Sequence, residues 1–260
     1  MDNFTPTLDW GNELWISLWW IAKAWLIAAV ATMVALVLIA KFTLWGRQFW
    51  RVTRGYFVGR DSVIVWLWLA GLLLSVMIGV RLSVLFTYQG SDMSTSFQVV
   101  AGGLLSGDDT VRQSGGDGFW MSLGIFGILA VVNVAQVMLD LYLAQRFMLR
   151  WRAWLTEELT GNWLDGKAFY RARFIDDTID NPDQRIQADI TAFVGTSVSL
   201  SFGAVSAVAS IISFTKILWE LSAPMTILGV TIPRAMLWLV FAYVLISTVI
   251  AFWIGRPLIN

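Results

Sequence analysis

The chain has 260 residues, of which 57% are hydrophobic and 14% charged, against about 45–50% and about 25% in soluble domains. Eighteen basic residues balance eighteen acidic ones, so no overall basic field points to nucleic acid as a partner. The sequence contains neither Cys nor His, which excludes disulfides and thiolate metal sites and leaves little for zinc or triad chemistry.

A hydrocarbon core about 30 Å thick takes roughly 20 apolar residues as helix. Five segments meet that length, at residues 18–42, 62–86, 119–144, 190–219 and 235–254. The chain starts Met1-Asp2-Asn3 with no basic region, and no small-residue cleavage site follows the first span, so that span is not a secretory signal. The expected fold is an all-α membrane protein with these five transmembrane helices. Trp15, Trp19, Trp20, Trp120, Trp219 and Trp238 fall near the span ends, where an aromatic belt places them.

Basic residues in the short connections set the orientation. Lys41, Arg47, Arg51, Arg54 and Arg60 lie between the first two spans, and Arg146, Arg150, Arg152, Lys167, Arg171, Arg173 and Arg185 between the third and fourth. The second connection holds Arg112 beside Asp92, Asp108, Asp109 and Asp117, and the last holds only Arg234. The N-terminus is therefore expected outside, with both basic connections and the C-terminus in the cytoplasm.

The first connection reads as an amphipathic elbow, because Trp45, Phe49 and Trp50 alternate with Arg47, Arg51 and Arg54. The second is rich in Gly, Ser and Asp (Gly115-Gly116-Asp117-Gly118) and is expected to be an external, mobile loop. In the third, Phe147, Trp151, Trp154, Leu155 and Leu159 recur at helical spacing, which carries the third helix well past the bilayer to a break at residues 162–166.

Polar residues inside apolar helices mark faces that avoid lipid. Ser122, Asn133, Gln136 and Asp140 share one arc of the third helix. They either line a hydrophilic cavity or hydrogen-bond to a neighbouring helix. Thr196, Ser199, Gly203, Ser206, Ser210 and Ser213 form a stripe on the fourth helix, read as close helix packing or as a cavity wall. Gly71, Ser75 and Gly79 read as packing. Lys216 and Glu220 stand i, i+4 and can pair; Arg81 either meets Glu220 or snorkels outward. No catalytic constellation and no metal site is found. The Gly-rich stretch 101–118 lacks the Lys-Ser/Thr ending of a phosphate-binding loop, so no residues here hold ATP.

The segment before the fourth span reads Phe169-Tyr170, then Ile179-Asp180-Asn181-Pro182-Asp183-Gln184-Arg185-Ile186, then Asp189 and Phe193. It resembles a transmembrane-domain family of ABC transporters that includes peroxisomal fatty-acyl exporters and bacterial BacA/SbmA-type transporters. Trp45-Gly46-Arg47-Gln48-Phe49-Trp50, Trp163-Leu164-Asp165-Gly166 and Gly255-Arg256-Pro257-Leu258-Ile259 resemble a mycobacterial BacA-like ATP-driven importer group within it. The resemblance implies exporter-type architecture in a homodimer around a water-filled cavity, in the bacterial cytoplasmic membrane. It implies hydrophilic substrates such as antimicrobial peptides, bleomycin-like compounds and cobalamin. Residues 1–61 would be an extra N-terminal helix with its elbow, and 62–260 four core helices with a cytoplasmic coupling loop at about 146–189. Tyr170, Asn181, Pro182, Asp183, Gln184, Arg185 and Asp189 would form that loop, which rests on a nucleotide-binding domain in the family. Pro182 disfavours αR at Asn181, and Asn181 or Asp180 can cap a short helix there. Cavity-lining candidates are Asn133, Gln136, Asp140, Thr196, Ser199, Ser206, Ser210 and Ser213.

No cofactor is expected in these 260 residues; ATP and Mg would belong to an ATPase domain supplied in cis or in trans. Besides that domain, the expected partners are membrane lipid, a second copy of the chain and a hydrophilic substrate. The chain stops at Asn260, before the family's last core helices and ATPase domain, and is expected to be a fragment, a split-gene product or an inert truncation. A proton-coupled SbmA-type peptide transporter, with Asp140 as proton carrier, is the other transport reading.

Overall fold

The structure is a computed structural model that describes residues 3–59, 62–165, 182–222, 224–227 and 230–256. Among these residues the chain folds into α1 (Glu13–Phe42), α2 (Leu44–Val58), α3 (Ser62–Ser106), α4 (Asp109–Leu164), α5 (Pro182–Leu221) and α6 (Ala235–Gly255), with short strands β1 (Met225–Ile227) and β2 (Val230–Ile232) between the last two helices. Five of the helices are long and apolar enough to cross a membrane. Leucines, valines and tryptophans stay exposed along α1, α4 and α6, as lipid contact requires and water would forbid. Two compact units are distinguished, residues 1–207 and 208–260.

In the first unit, α1 and α3 run antiparallel. The Trp25 indole N–H donates to the Ala70 carbonyl at 3.0 Å, and twelve residues earlier Glu13 meets Arg81. The chain turns sharply from α1 into α2 at Thr43, whose hydroxyl oxygen accepts the Gly46 N–H at 3.0 Å and so caps α2. A Cβ on Gly46 would collide with the Ile39 carbonyl oxygen, so the corner needs glycine. α2 buries Gly46, Thr53 and Tyr56 on one face, while Arg47, Arg51 and Arg54 are exposed on another.

The second connection departs from the sequence expectation. Residues 87–118 are not a mobile loop. α3 continues to Ser106, α4 starts at Asp109, and only Gly107 and Asp108 link them. At 1.5 Å per residue the two helices are roughly 67 Å and roughly 84 Å long, so their hairpin tip projects well past a hydrocarbon core of about 30 Å. Gly107 takes the left-handed conformation (φ +70°), and the Asp108 N–H reaches back to the Gly103 carbonyl at 3.1 Å, the bond of a Schellman helix end. Asp108 then caps α4 by accepting the Thr110 N–H at 3.0 Å. The glycines belong to the helix interface. A Cβ on Gly103 would lie 2.5 Å from the Arg112 nitrogen, and one on Gly115 would lie 2.7 Å from the Val100 nitrogen. These residues let two backbones touch; they do not loosen a loop.

At the opposite end of the first unit, α2, α3, α4 and α5 meet in one core of Tyr56, Val65, Leu72, Phe147, Trp151, Leu155, Ile190, Val194 and Val198. α4 runs on to Leu164, which meets the expected extension and break. The apolar positions Phe147, Trp151 and Leu155 stand four apart and face this core together. Tyr56 stacks on Trp151 with ring centres 5.9 Å apart, and Phe193 of α5 lies 6.0 Å from the same indole. This end carries the basic connections and is called the basic end below.

In the second unit, β1 and β2 pair antiparallel, Met225 opposite Ile232. Arg234 adopts αL geometry ahead of α6 and lays its guanidinium 3.6 Å from the centre of the Trp219 ring. The Met236 N–H donates to the Ser222 hydroxyl at 3.2 Å. Lys216 and Glu220 pair at 3.7 Å, as their spacing predicts.

Candidate functional site

The polar arc of α4 is divided along its length. Ser122 is buried, and its carbonyl accepts the Gln89 amide of α3 at 3.2 Å. Gln136 donates to the Ser75 carbonyl at 3.2 Å, and its amide fills the space that a side chain at Gly79 would take. These two positions bind α4 to α3, and Gly79 is small because Gln136 lies over it. Asn133 and Asp140 are half-buried and make no hydrogen bond or ion pair with the described residues.

On α5, Thr196, Ser199 and Gly203 are exposed, while Ser206, Ser210 and Ser213 are half-buried. Ser213 returns its hydroxyl proton to the Ala209 carbonyl at 2.8 Å, which satisfies the group within its own helix. The buried side of the same helix, Ile190, Val194 and Val198, follows i, i+4, i+8 into the basic-end core.

Tyr170 and Asn181 lie outside the described residues, as do the side chains of Pro182 and Asp183. Pro182 is the first residue of α5, a position where its missing N–H costs no helical bond. Gln184, Arg185 and Asp189 are exposed, whereas Ile186 and Ile190 turn into the core. Residues 184–190 thus present a polar outer face and are held by an apolar inner one.

The packing beneath is aromatic. Burial pushes the Tyr56 phenol up to about 12, against a smaller opposing pull from the Arg150 charge. The Trp151 indole N–H is buried without a hydrogen-bond partner among the described residues. Phe49 of α2 packs on both Trp151 and Phe193, at ring distances of 6.3 and 5.5 Å, so α2 and α4 both grip α5. No group of acidic side chains among the described residues could hold a metal ion.

Two polar clusters escaped the sequence reading. Arg81 does not snorkel outward. It pairs with Glu13, and its Nε donates to Ser17 at 2.9 Å. An arginine in an apolar helix demands a partner, and Glu13 with Ser17 at i, i+4 was the available signal once α1 is started a turn earlier than residue 18. Asp92 is 2% exposed and is held by Thr7 and Trp10 of the N-terminal segment. No sequence periodicity points to that pairing.

The sequence model of the family described as ABC transporter transmembrane region 2 matches residues 52–260. A Haemophilus influenzae protein named as an uncharacterised ABC transporter ATP-binding protein is 37% identical over 253 residues, covering 97% of this chain and 40% of its own length. A second Haemophilus influenzae protein of the same description is 30% identical, with the same two coverages. The human lysosomal cobalamin transporter ABCD4 is 36% identical over 66 residues, covering 25% of this chain and 11% of its own. The chain thus spans about 40% of the length of the curated relatives that it matches most fully.

Proposed function

The chain belongs to the ABC transporter transmembrane region 2 family and is a multi-pass membrane protein; from that premise we propose that it forms the transmembrane part of a transporter that moves bulky hydrophilic solutes across the bacterial cytoplasmic membrane. Work would come from an ATPase domain in cis or in trans, carrying ATP and Mg, and the complete unit would be a homodimer. The basic end lies in the cytoplasm in this reading, with the N-terminus outside.

One observation carries the proposal. α5 begins at Pro182 with Gln184, Arg185 and Asp189 exposed, and Ile186 and Ile190 lock that start onto the Trp151 core. A motor domain pressing on the exposed face would move a helix that reaches through the membrane, together with the elbow and α4 packed against it. The test is Arg185→Ala in the complete transporter. Substrate-stimulated ATPase activity per folded molecule is expected to fall, with protein level little changed. Equal activity per folded molecule would refute the coupling role.

For the solute class, the motif resemblance to BacA/SbmA-type proteins supports peptides, bleomycin-like compounds and cobalamin. The similarity to a protein named for cobalamin transport supports the last of these. Asn133, Asp140, Thr196, Ser199, Ser206, Ser210 and Ser213 are the proposed cavity-lining residues, with Gln136 joining α4 to α3 at its margin. A second reading, proton-coupled transport, is favoured by Asp140, a half-buried carboxylate on a membrane helix without a partner among the described residues. Uptake that needs ATP and is indifferent to Asp140→Asn would eliminate it.

A further inference from the structure

The family match begins at residue 52, which leaves α1 and the segment before it outside the family region. That segment nevertheless grips the family region at three levels. Arg81 on α3 is paired with Glu13, the two side chains being 11% and 6% exposed. Ser17 joins them, donating to Glu13 at 2.7 Å while it accepts from Arg81. Three turns further along α3, roughly 16 Å toward the hairpin tip, the buried Asp92 carboxylate accepts the Thr7 N–H at 2.8 Å, the Thr7 hydroxyl, and the Trp10 indole at 2.9 Å. Beyond that, the Phe4 N–H donates to Ser114 of α4 at 2.9 Å. The Phe4 ring covers Gly118 so closely that a Cβ there would collide with it. Leu8 and Trp10 also pack on Leu82, Leu85 and Leu129.

We propose that residues 4–17 are a clasp that fastens α1 to the tip half of the α3–α4 hairpin, so that the three helices travel as one body when the transporter changes conformation. Two of the three anchors carry charge in buried places. Pulling the segment away would leave the Asp92 carboxylate and the Arg81–Glu13 network without their partners, a far larger penalty than opening a loop held at the surface. A segment meant to open and close in each cycle would be held by exposed groups that water can replace. The clasp itself does not depend on the transport reading; only its mechanical consequence does.

The sequence contains no cysteine, so Phe4→Cys with Ser114→Cys gives a reporter pair within this chain. In membranes, mild oxidation is expected to join the pair in most molecules, read as loss of labelling by a maleimide–polyethylene glycol reagent. In the complete transporter the joining rate is expected to agree within about twofold between the resting and vanadate-trapped states, and oxidation is expected to leave transport within about twofold of the reduced sample. A rate that drops tenfold on trapping, or transport abolished by oxidation, would show a gate and overturn the clasp. A pair that does not join at rest would overturn it regardless of transport. The charge reversal Glu13→Arg is expected to cut the amount of folded protein several-fold, and Glu13→Arg with Arg81→Glu to restore it. Failure of the double variant to exceed the single one also counts against the clasp. If ATP drives no transport in the parent protein, the transport reading fails, while resting-state joining and charge reversal still decide the clasp.

Discussion

Gly115 and Gly116 are neighbours on α4 and should respond to a methyl group with opposite signs. At Gly115 a Cβ would stand 2.7 Å from the Val100 nitrogen and 3.0 Å from the Ser96 carbonyl oxygen. Both are backbone atoms of α3 and cannot rotate aside, so Gly115→Ala must push the helices apart. Overpacking of this kind costs about 1–3 kcal/mol, with the upper half expected because the obstacle is main chain. The gain from replacing glycine inside a helix returns up to about 1 kcal/mol, so the net loss is about 1–2 kcal/mol. At Gly116 a Cβ would meet nothing within 4 Å, which leaves only the propensity gain of about 0.8–1 kcal/mol. The two variants should therefore differ by about 2–3 kcal/mol. The assay is unfolding of the detergent-solubilised chain by heat or by denaturing detergent, followed by tryptophan fluorescence. Equal effects, or no effect from either, would mean that residues 107–118 form the loose loop that their composition advertises, and the close helical hairpin would be refuted.

Other substitutions probe the remaining contacts. Trp151→Ala should cost about 3–5 kcal/mol, as for other buried large aromatics, and Trp151→Phe markedly less; because the indole N–H has no partner among the described residues, losing that donor alone strands nothing there, and equal losses in the same unfolding assay would argue against this. Gly46→Ala should break the α1–α2 corner, read as faster proteolysis of the elbow, since the added atom meets the Ile39 carbonyl. The Tyr56 phenol titrates above its ordinary value of 10.0, at about 12 when folded. Its raised folded value means that the unfolded chain ionises first as pH rises, so stability falls from about pH 10 upward, and Tyr56→Phe should flatten that alkaline limb. Asp108 is shifted the other way, lowered chiefly by the Thr110 hydroxyl and then by the Val111 and Thr110 backbone N–H groups. Its contribution is present above the unfolded carboxyl value and is lost as pH falls through the folded one, so Asp108→Asn should reduce the acid dependence of hairpin stability.

The membrane character and the helix count were legible from the chain because apolar length is a one-dimensional property: twenty residues that cannot face water report themselves wherever they sit. The elbow was legible as well, since arginines and aromatics at helical spacing declare two faces before any partner is known. So was the reach of α4 past the span, from Phe147, Trp151 and Leu155 in register. Composition misled where one residue type serves two purposes. Glycines at 103 and 115 count as loop formers in a sequence window, yet they allow a close approach of two helix backbones. The choice depends on what stands opposite, and only folding brings Val100 and Arg112 there. The partners of Arg81 and Asp92 were hidden for the same reason, since their hydrogen bonds join residues more than sixty positions apart. Apolar pattern determines that these helices enter a membrane. Which buried charge meets which partner is decided by three-dimensional proximity, which no local stretch of chain encodes.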